Sequence, residues 1–459
     1  MVEYAQKLKD ANTRLDLVNA TFGLSYELLP PDLQKQWSAL SVFPADFDRS
    51  GAAAVWEMDI DDGAEALSDL VKWSLLDFNP NGERYSLHDL ARDFAGSRLE
   101  AASGAVAQQR HAEHYKNALS AFDELYMKGG KDVLAAMQLF DLEEANIMAG
   151  HAWAEMNLEA NSSAAELCRS YPDAGVYVLD LRLHPRQKIS WLESGVEAAR
   201  RLKDRAAEGV HLGNLGVAYA ALGDAKKAIE FYEQRLVIAR EIGDRRGEGN
   251  ALGNLGLAYA DLGDAKKAIE FYEQRLVIAR EIGDRRGEGN ALGNLGLAYV
   301  DLGDAKKAIE FHEQALVIDR EIGDRRGEGT DQGNLGNAYA ALGDTKKAIE
   351  FYEQHMVIAR EIGDRRGEGN ALGNLGNAYA ALGDAKKAIE FHEQALVIDR
   401  EIGDRLGEGN AMWNMSLSQN KLGQRAEAID YAKSALKIYE QIESPTAERV
   451  RRRLAEWQG

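Results

Sequence analysis

Asparagine and arginine side chains recur in columns along the C-terminal half of the sequence, each column repeating every 40 residues. Asparagine amides both donate to and accept from peptide backbone, and the arginine fork binds carboxylates. This chemistry suits an extended or helical acidic segment of a partner protein. The columns contain Arg246, Asn250, Asn254, Leu257 and Asp261; Arg286, Asn290, Asn294, Leu297 and Asp301; Arg326, Thr330, Asn334, Asn337 and Ala341; Arg366, Asn370, Asn374, Asn377 and Ala381; and Asn410 and Asn414.

One position of these columns changes from Leu257 and Leu297 to Asn337 and Asn377, which predicts a surface that grades from apolar to polar. An alternative interpretation stays open. In it, the asparagines belong to the repeat consensus, and some rows bond to neighbouring repeats. The near identity of the repeats fits recent duplication better than a tailored pocket.

Two histidines in the repeats have a simpler interpretation. His312 and His392 stand where other repeats carry Tyr232, Tyr272 and Tyr352. A residue that replaces a regularly spaced aromatic side chain fills the same space, so we predict that both histidines pack in the core.

Few other residues offer catalytic or metal-binding chemistry. His111 and His114, three apart on an expected helix, could share a metal, but no further ligands accompany them. The single cysteine, Cys168, excludes an intramolecular disulfide and a cysteine metal cluster. The motifs GxxxxGK[ST], HExxH, CxxC and GxSxG do not occur. We therefore predict a protein that is not an enzyme and has no cofactor or metal.

The binding columns lie within a repeat that begins with GNLG at Gly213, Gly253, Gly293, Gly333 and Gly373. Apolar residues at helical spacing predict two helices in each unit. In one unit these are about Arg245–Leu262 and Ala265–Ile282. Gly263 ends the first helix in the left-handed conformation, and Asp264 caps the second. Such short turns predict antiparallel helix pairs.

This pattern closely resembles the tetratricopeptide repeat family, in its 40-residue form found in Pins-like adaptors and kinesin light chains. The resemblance covers about Arg205–Ile442. It implies a right-handed helical solenoid whose first helices line the concave surface, so the polar columns would face a bound partner. The matching signature residues are Leu252, Leu255, Gly256, Tyr259, Gly263, Ala268, Tyr272 and Leu276.

The N-terminal third of the sequence does not show the repeat and has a different pattern of residues. Four short helices are predicted, followed by strands Ser74–Phe78 and Arg84–Leu87 around an Asn81-Gly82 turn that favours positive φ. A closing helix, His88–Leu99, follows. Helices followed by a hairpin wing predict a small winged-helix domain. The four helices are expected at Leu15–Glu27, Pro31–Leu40, Arg49–Glu57 and Asp62–Trp73.

Several blocks here resemble the winged-helix domain of NB-ARC signalling ATPases, the STAND class. They are LSYELLPPDLQKQWSALSVFP from Leu24, AAAVW ending at Trp56, LVKWSLL from Leu70 and RYSLHDLARDFA from Arg84. The resemblance implies that His88 senses a bound nucleotide. The family's ATPase domain, however, is absent from this chain, so it would act from upstream in cis or in trans. Alternatively, His88 simply starts a helix.

These patterns predict a mainly all-α chain divided into five segments. They are a winged-helix domain (1–100), a helical linker with a degenerate repeat (101–184), the second helix of that repeat (185–204), about six tandem repeats (205–442) and a C-terminal capping helix (443–459). The predicted function is that of a protein-binding sensor and scaffold region of a STAND-type signalling protein.

The net charge of the chain limits the classes of partner that it can bind. With a formal net charge of −20, the chain repels phosphate backbones and anionic lipid, which disfavours nucleic acid and membranes. No segment is long and apolar enough to span a membrane, and Met1–Asp10 is polar, so a cytoplasmic location is expected. Two alternatives remain: a stand-alone repeat adaptor, and a DNA-binding winged helix. Glu65 and Asp69, near a single Lys72, argue against the second.

Overall fold

The structure, a computed structural model, describes residues 14–458, with side chains from Thr21 onward. The stretch Met1–Asp10 and the start of the expected first domain lie outside the described residues. The chain divides into an N-terminal unit, Met1–Asp224, and a C-terminal unit, Ala225–Gly459.

The N-terminal unit is helical except for one hairpin in the part that the structure describes. Its elements are, in chain order, α1 (Arg14–Leu28), α2 (Pro31–Ala39), a 3-10 turn (Leu40–Val42), α3 (Arg49–Trp56), α4 (Ile60–Lys72), β1 (Asp77–Asn79), β2 (Arg84–Ser86), α5 (Asp89–Arg98), α6 (Ala101–Met127), α7 (Lys131–Asn157), α8 (Ser162–Ala174), α9 (Val176–Arg182), α10 (Pro185–Leu202) and α11 (Arg205–Ala221).

The predicted hairpin is present, but its strands are shorter than expected. Asp77 pairs with Ser86 and Asn79 with Arg84 in antiparallel register. The first strand begins three residues late because Ser74 has a left-handed backbone (φ 56°), which turns the chain after α4. In the turn, the left-handed residue is Glu83 (φ 51°), whereas Gly82 keeps an ordinary φ.

The core of the N-terminal unit is aromatic and joins its first helices to the hairpin. Trp37 is fully buried and donates its indole N–H to the Leu75 carbonyl at 2.9 Å. Phe43 and Phe47 stack with ring centroids 4.1 Å apart, and Phe47 pairs its backbone with Tyr85. Burial of such large rings contributes strongly to the stability of this unit.

Helix α8 is capped by the residue before it and contains a proline near its end. Asn161 caps α8 by accepting from the Ser163 amide at 2.8 Å. Pro172 lies inside the last turn of α8. A proline there removes one backbone hydrogen bond near the end of the helix, which is tolerable because the helix stops at Ala174.

The C-terminal unit is an array of antiparallel helix pairs, as predicted. Its helices are α12 (Ala225–Ile242), α13 (Arg245–Asp261), α14 (Ala265–Ile282), α15 (Arg285–Asp301), α16 (Ala305–Ile322), α17 (Arg325–Ala341), α18 (Thr345–Glu361), α19 (Arg365–Ala381), α20 (Ala385–Ile402), α21 (Arg405–Lys421), α22 (Arg425–Gln441) and α23 (Thr446–Gln458).

The predicted turn residues make these pairs. Gly263 adopts φ 78°, a left-handed backbone that glycine reaches without steric cost. Asp264 then caps α14 by accepting from the Lys267 amide at 3.1 Å. The same device separates α14 from α15, where Gly283 has φ 68° and Asp284 accepts from the Gly287 amide. The chain therefore reverses at every helix end.

Close packing inside a pair depends on small residues. A Cβ added at Gly256 would lie 2.3 Å from the Tyr272 ring, so only glycine lets the tyrosine lie flat on α13. Leu255 and Ala268 are fully buried beside this contact. A single helix pair has apolar residues on both of its sides and cannot bury them alone. Stability therefore comes from the stacking of successive pairs.

The array has an inner and an outer side. The first helices α13, α15, α17, α19 and α21 lie closer to one another than the second helices do. First helices therefore line the inside of the curve. Helix α23 covers the last pair with Val450, Leu454 and Trp457, all buried. In the described residues, no helix has the length and apolar character needed to cross a membrane.

Candidate binding face of the first helices

All of the predicted binding residues lie on the first helices, and each is exposed or half-buried. Steps of three or four residues separate Arg246, Asn250, Asn254, Leu257 and Asp261. All five therefore lie on one side of α13. The opposite side carries the buried core residues. We call this surface the first-helix face, and it continues through α15, α17, α19 and α21 because these helices lie side by side.

Some asparagines of the face bond to the protein itself. Asn414 donates from Nδ2 to Asn377 Oδ1 at 3.0 Å, and Asn374 approaches Asn337 in the same way at 3.5 Å. Asn337 also accepts from the Tyr352 hydroxyl at 2.9 Å. The interpretation that some rows bond to neighbouring repeats is therefore correct for these residues. Each amide retains further donors or acceptors for a ligand.

In the four repeats that carry two neighbouring arginines, these arginines have different roles, a distinction that sequence reasoning missed. Arg285 donates to Glu288 one turn along α15, and Arg280 of the preceding helix donates to the other Glu288 oxygen at 2.8 Å. Glu288 is only 7% exposed. Arg285 also bonds Glu321 on α16, the second helix of its own pair. The Arg-x-x-Glu spacing was the available signal, because it places the pair on one helical turn.

Arginines of the second type are exposed at the rim of the first-helix face. Arg246, Arg326 and Arg366 form no ion pair with any residue that the structure describes. Arg286 is 74% exposed and approaches Asp324 only at 3.9 Å. These guanidinium groups therefore remain available for an external carboxylate.

The face changes in polarity along the array, as the sequence indicates. Leu257 and Leu297 are 47% and 46% exposed, a high fraction for leucine. At the same position, Asn337 and Asn377 present amides instead. One end of the face offers apolar contacts and the other offers hydrogen bonds.

The histidines separate into capping and packing residues. His88 is exposed, and its Nδ1 accepts from the Leu90 amide at 3.3 Å, so it caps α5 as the helix-start alternative expects. His312 and His392 are buried against Gly296 and Gly376, which confirms them as packing residues. His111 is buried against Phe43, where loss of solvent lowers its pKa to about 4. The described residues contain no cluster of three metal-ligating side chains.

Comparison with known families identifies the array. The tetratricopeptide repeat model matches residues 208–281, 247–321, 287–361 and 367–441. The region that carries the first-helix face thus consists of tetratricopeptide repeats, a class of protein-interaction module. Comparison with curated protein sequences finds no significant match.

Solved structures extend the likeness beyond the array. A STAND protein with a tetratricopeptide repeat sensor from Pyrococcus horikoshii is 20% identical, with a TM-score of 0.53, covering 95% of this chain and 67% of that one. BtubC from P. vanneervenii is 24% identical over 48% of this chain and 92% of its own, with a TM-score of 0.44. A putative kinesin light chain from Podosopora anserina is 23% identical over 42% and 95%, with a TM-score of 0.38. At these identities the likeness concerns the fold.

Proposed function

We propose that the first-helix face binds a segment of a partner protein and that its arginines favour an acidic segment. The observation that carries this proposal is the set of exposed, unpaired guanidinium groups of Arg246, Arg326 and Arg366, beside rows of half-buried asparagines. Buried or internally paired arginines would have no such capacity. The exposed Leu257 and Leu297 add apolar contact area at one end of the face.

We further propose that the chain is the sensor region of a STAND-type signalling protein. Three things support this: the order of helices, hairpin and helix in the N-terminal unit, the winged-helix sequence blocks, and the fold likeness to a STAND protein that carries a repeat sensor. Occupancy of the face would shift an equilibrium between closed and open states of an ATPase domain in cis or in trans. A stand-alone repeat adaptor is the alternative.

Charge reversal tests the binding face. Short random peptides are selected by display on the full chain and then measured against Arg246→Glu/Arg286→Glu/Arg366→Glu. We expect selected peptides to be rich in Asp and Glu, and to bind the variant at least about tenfold more weakly, since each lost charged hydrogen bond costs roughly 1.5–3 kcal/mol.

The matched control carries the same change of charge on the second helices of the same repeats. Lys266, Lys306 and Lys386 are exposed there, so Lys266→Glu/Lys306→Glu/Lys386→Glu alters net charge equally. This control should keep wild-type affinity. Equal loss in both variants would reduce the effect to overall charge, and no loss in the arginine variant would remove the first-helix face as the site.

The STAND proposal has its own test. An ATPase domain with a phosphate loop should be encoded in frame directly upstream, or should associate with the N-terminal unit as a separate chain. Size-exclusion chromatography of the chain with such a domain should show a complex. A chain that binds peptides but has neither kind of ATPase partner would be the stand-alone adaptor.

A further inference from the structure

One first helix, α17, buries a glutamine where the other first helices of the array bury an apolar residue. Gln332 is 1% exposed, and its Oε1 accepts no hydrogen bond from any described residue. Leu292 and Leu372 stand at the same position in the neighbouring repeats and are buried to the same degree. A buried carbonyl oxygen without a donor is costly, so a donor from outside the array would stabilise this position.

Gln332 lines a groove of about 530 Å³ between α17 and α18, a volume within the range of ligand sites. Arg325, Glu328 and Gln332 line it from α17, at a spacing of four or fewer residues that keeps them on one side of the helix. By the same helical phase, Thr330 and Asn334 of the first-helix face lie on the other side of α17. The groove therefore belongs to the outer side of the array, away from the first-helix face.

The groove is acidic, and its own arginine does not neutralise it. Arg325 is already engaged, because it donates to Glu328 and to Glu361. Glu350 and Glu353 are exposed on the α18 side of the groove, and neither forms an ion pair with a residue that the structure describes. These two carboxylates and the unpartnered amide oxygen are all acceptors, so they fit a donor group that carries positive charge.

A second glutamine, on the α18 side of the groove, also differs from its equivalents. In α14, α16 and α20 the equivalent glutamine donates from Nε2 to the carbonyl one turn earlier, as Gln314 does to Glu310 at 3.0 Å. Gln354 makes no such bond within the described part of the chain. Its amide is therefore available to a ligand in the groove.

Exposed valines extend the outer surface on both sides of the groove. Val317, Val357 and Val397 occupy the same position of the successive second helices α16, α18 and α20, and they are 55%, 58% and 64% exposed. Val357 lines the groove itself. A protein surface laid over the groove would cover all three valines, whereas a free small molecule would leave Val317 and Val397 in water. The valines therefore favour a protein as the source of the positive group.

We propose that this outer groove binds an arginine side chain of a partner protein, held by Gln332, Glu350 and Glu353. The planar guanidinium group offers five donors, which match three acceptor groups better than the three donors of a lysine ammonium group do. Val357 provides an apolar wall for the aliphatic stem of the arginine. This interaction goes beyond the binding of an acidic segment at the first-helix face and does not depend on it.

Small probes test the groove without any partner protein. The full chain is titrated with N-acetyl-arginine amide and with N-acetyl-citrulline amide, which has the same length but no charge, and ligand-observed NMR measures the binding. We expect the arginine probe to bind at least about tenfold more tightly, because charged hydrogen bonds replace neutral ones. Equal affinity for the two probes overturns the proposal.

Replacing the buried glutamine localises the site. Gln332→Leu introduces the side chain that Leu292 and Leu372 show to be compatible with the fold, so the protein should stay folded. The affinity for the arginine probe should fall about tenfold, as expected for the loss of one hydrogen bond to a charged group. An unchanged affinity would mean that the groove at Gln332 is not the site.

The carboxylates provide a second test with a matched control. Glu350→Gln/Glu353→Gln changes exposed side chains only and should weaken the arginine probe at least about tenfold. Glu270→Gln/Glu273→Gln removes the same two charges at the same positions of α14, where Leu252 replaces the buried glutamine, and should keep wild-type affinity. Equal losses in both variants would reduce the effect to the overall negative charge and overturn the proposal.

Discussion

Arg84 and Glu143 form a buried ion pair that ties the hairpin of the N-terminal unit to helix α7. Arg84 Nη2 lies 3.1 Å from Glu143 Oε2 and 2.9 Å from Asp46 Oδ1, and Arg84 and Glu143 are 5% and 8% exposed. Asn146 completes the cluster by donating to the Asp46 carbonyl at 2.9 Å. Although burial lowers the pKa of Arg84, the bonds and charge of Glu143 raise it overall. The hairpin is therefore held in one position against α7.

Replacing Arg84 should detach the hairpin from the unit. Arg84→Met leaves Glu143 buried without a counter-ion, which costs about 3–5 kcal/mol in comparable pairs. Hydrogen exchange of the β2 and α7 amides in the full chain should accelerate accordingly. The double variant Arg84→Met/Glu143→Met removes both charges and should recover most of this stability. If the single variant exchanges as slowly as the wild type, the pair does not hold the hairpin.

The repeat array could be predicted nearly to the residue, for a physical reason. Most helix ends of the array carry their own signal, such as Gly263 with positive φ followed by the cap Asp264, and the helix boundaries of α13 and α14 fall within one residue of expectation. The boundaries of the hairpin were predicted less accurately. The left-handed turns at Ser74 and Glu83 use residues without that preference, so tertiary packing and not local sequence sets their conformation.

The candidate site was predictable only as a surface. The helical phase of Arg246 and Asn250 places them on the exposed side whatever their partners. The different roles of Arg285 and Arg286 could not be predicted. They depend on contacts with Glu321 and Asp324, which other helices bring into reach. The unpartnered ring of His392 was missed too, since neither of its nitrogens has a hydrogen-bond partner among the described residues. A histidine that replaces a tyrosine reads as equal packing until the missing hydroxyl contact is seen in three dimensions.

Two glycine positions of the first helices, three residues apart within the repeat, should respond oppositely to alanine. A Cβ at Gly256 would lie 2.3 Å from the Tyr272 ring and force the pair apart, so Gly256→Ala should destabilise the array by about 1–3 kcal/mol. At Gly373 nothing lies within 4 Å of the added carbon. Gly373→Ala should therefore stabilise α19 by roughly 0.5–1 kcal/mol, the helix preference of alanine. Urea unfolding followed by circular dichroism measures both, and a similar loss in both variants would contradict the packing argument.

The Glu288 cluster should give the array an acid-sensitive contribution. Burial raises the pKa of Glu288, but the bonds from Arg280 and Arg285 outweigh it and leave the pKa lowered. A lowered folded pKa stabilises the protein above the unfolded value of about 4.3, and the contribution is lost as pH falls through the folded pKa.

Glu288→Gln should thus cost about 1–2 kcal/mol at pH 7, discounted because both arginines are half-exposed, and less at pH 3, where the unfolded chain is already protonated. Chemical unfolding at the two pH values measures the difference. Glu310→Gln, on the exposed side of α16 with no ion pair in the described residues, is the matched control and should be neutral at both. A cost for Glu288→Gln that does not change with pH would rule out the ion pairs as its source.

Asp319 and Asp331 form the opposite kind of pair, a carboxyl cluster in the middle of the array. Asp331 is 4% exposed and faces His312 at 3.3 Å, and the two carboxyl groups share a hydrogen bond. Burial, followed by the charges of Asp331 and Asp324, raises the pKa of Asp319 to about 7, with Glu328 adding to the effect. Burial also raises the pKa of Asp331. In other repeats Ala291 and Leu292 stand where Asp331 and Gln332 do.

These raised pKa values make the centre of the array weaker as pH increases. The folded protein holds a proton that the unfolded chain releases near pH 3.9, so the stability from this cluster falls as pH rises from about 4 to about 7 and then levels off. Hydrogen exchange of the α16 and α17 amides, compared between pH 5 and pH 8 after correction for the intrinsic rate, should show this loss. Asp331→Ala/Gln332→Leu restores the residues of the preceding repeat and should stabilise the array by about 1–3 kcal/mol. It should reduce the pH dependence to that of the repeat with Ala411, where burial still raises the pKa of the equivalent Asp399 to about 6. His312 would lose its partner, but His392 already packs without one opposite Ala411. If the double variant keeps the wild-type pH dependence, the carboxyl cluster is not its origin.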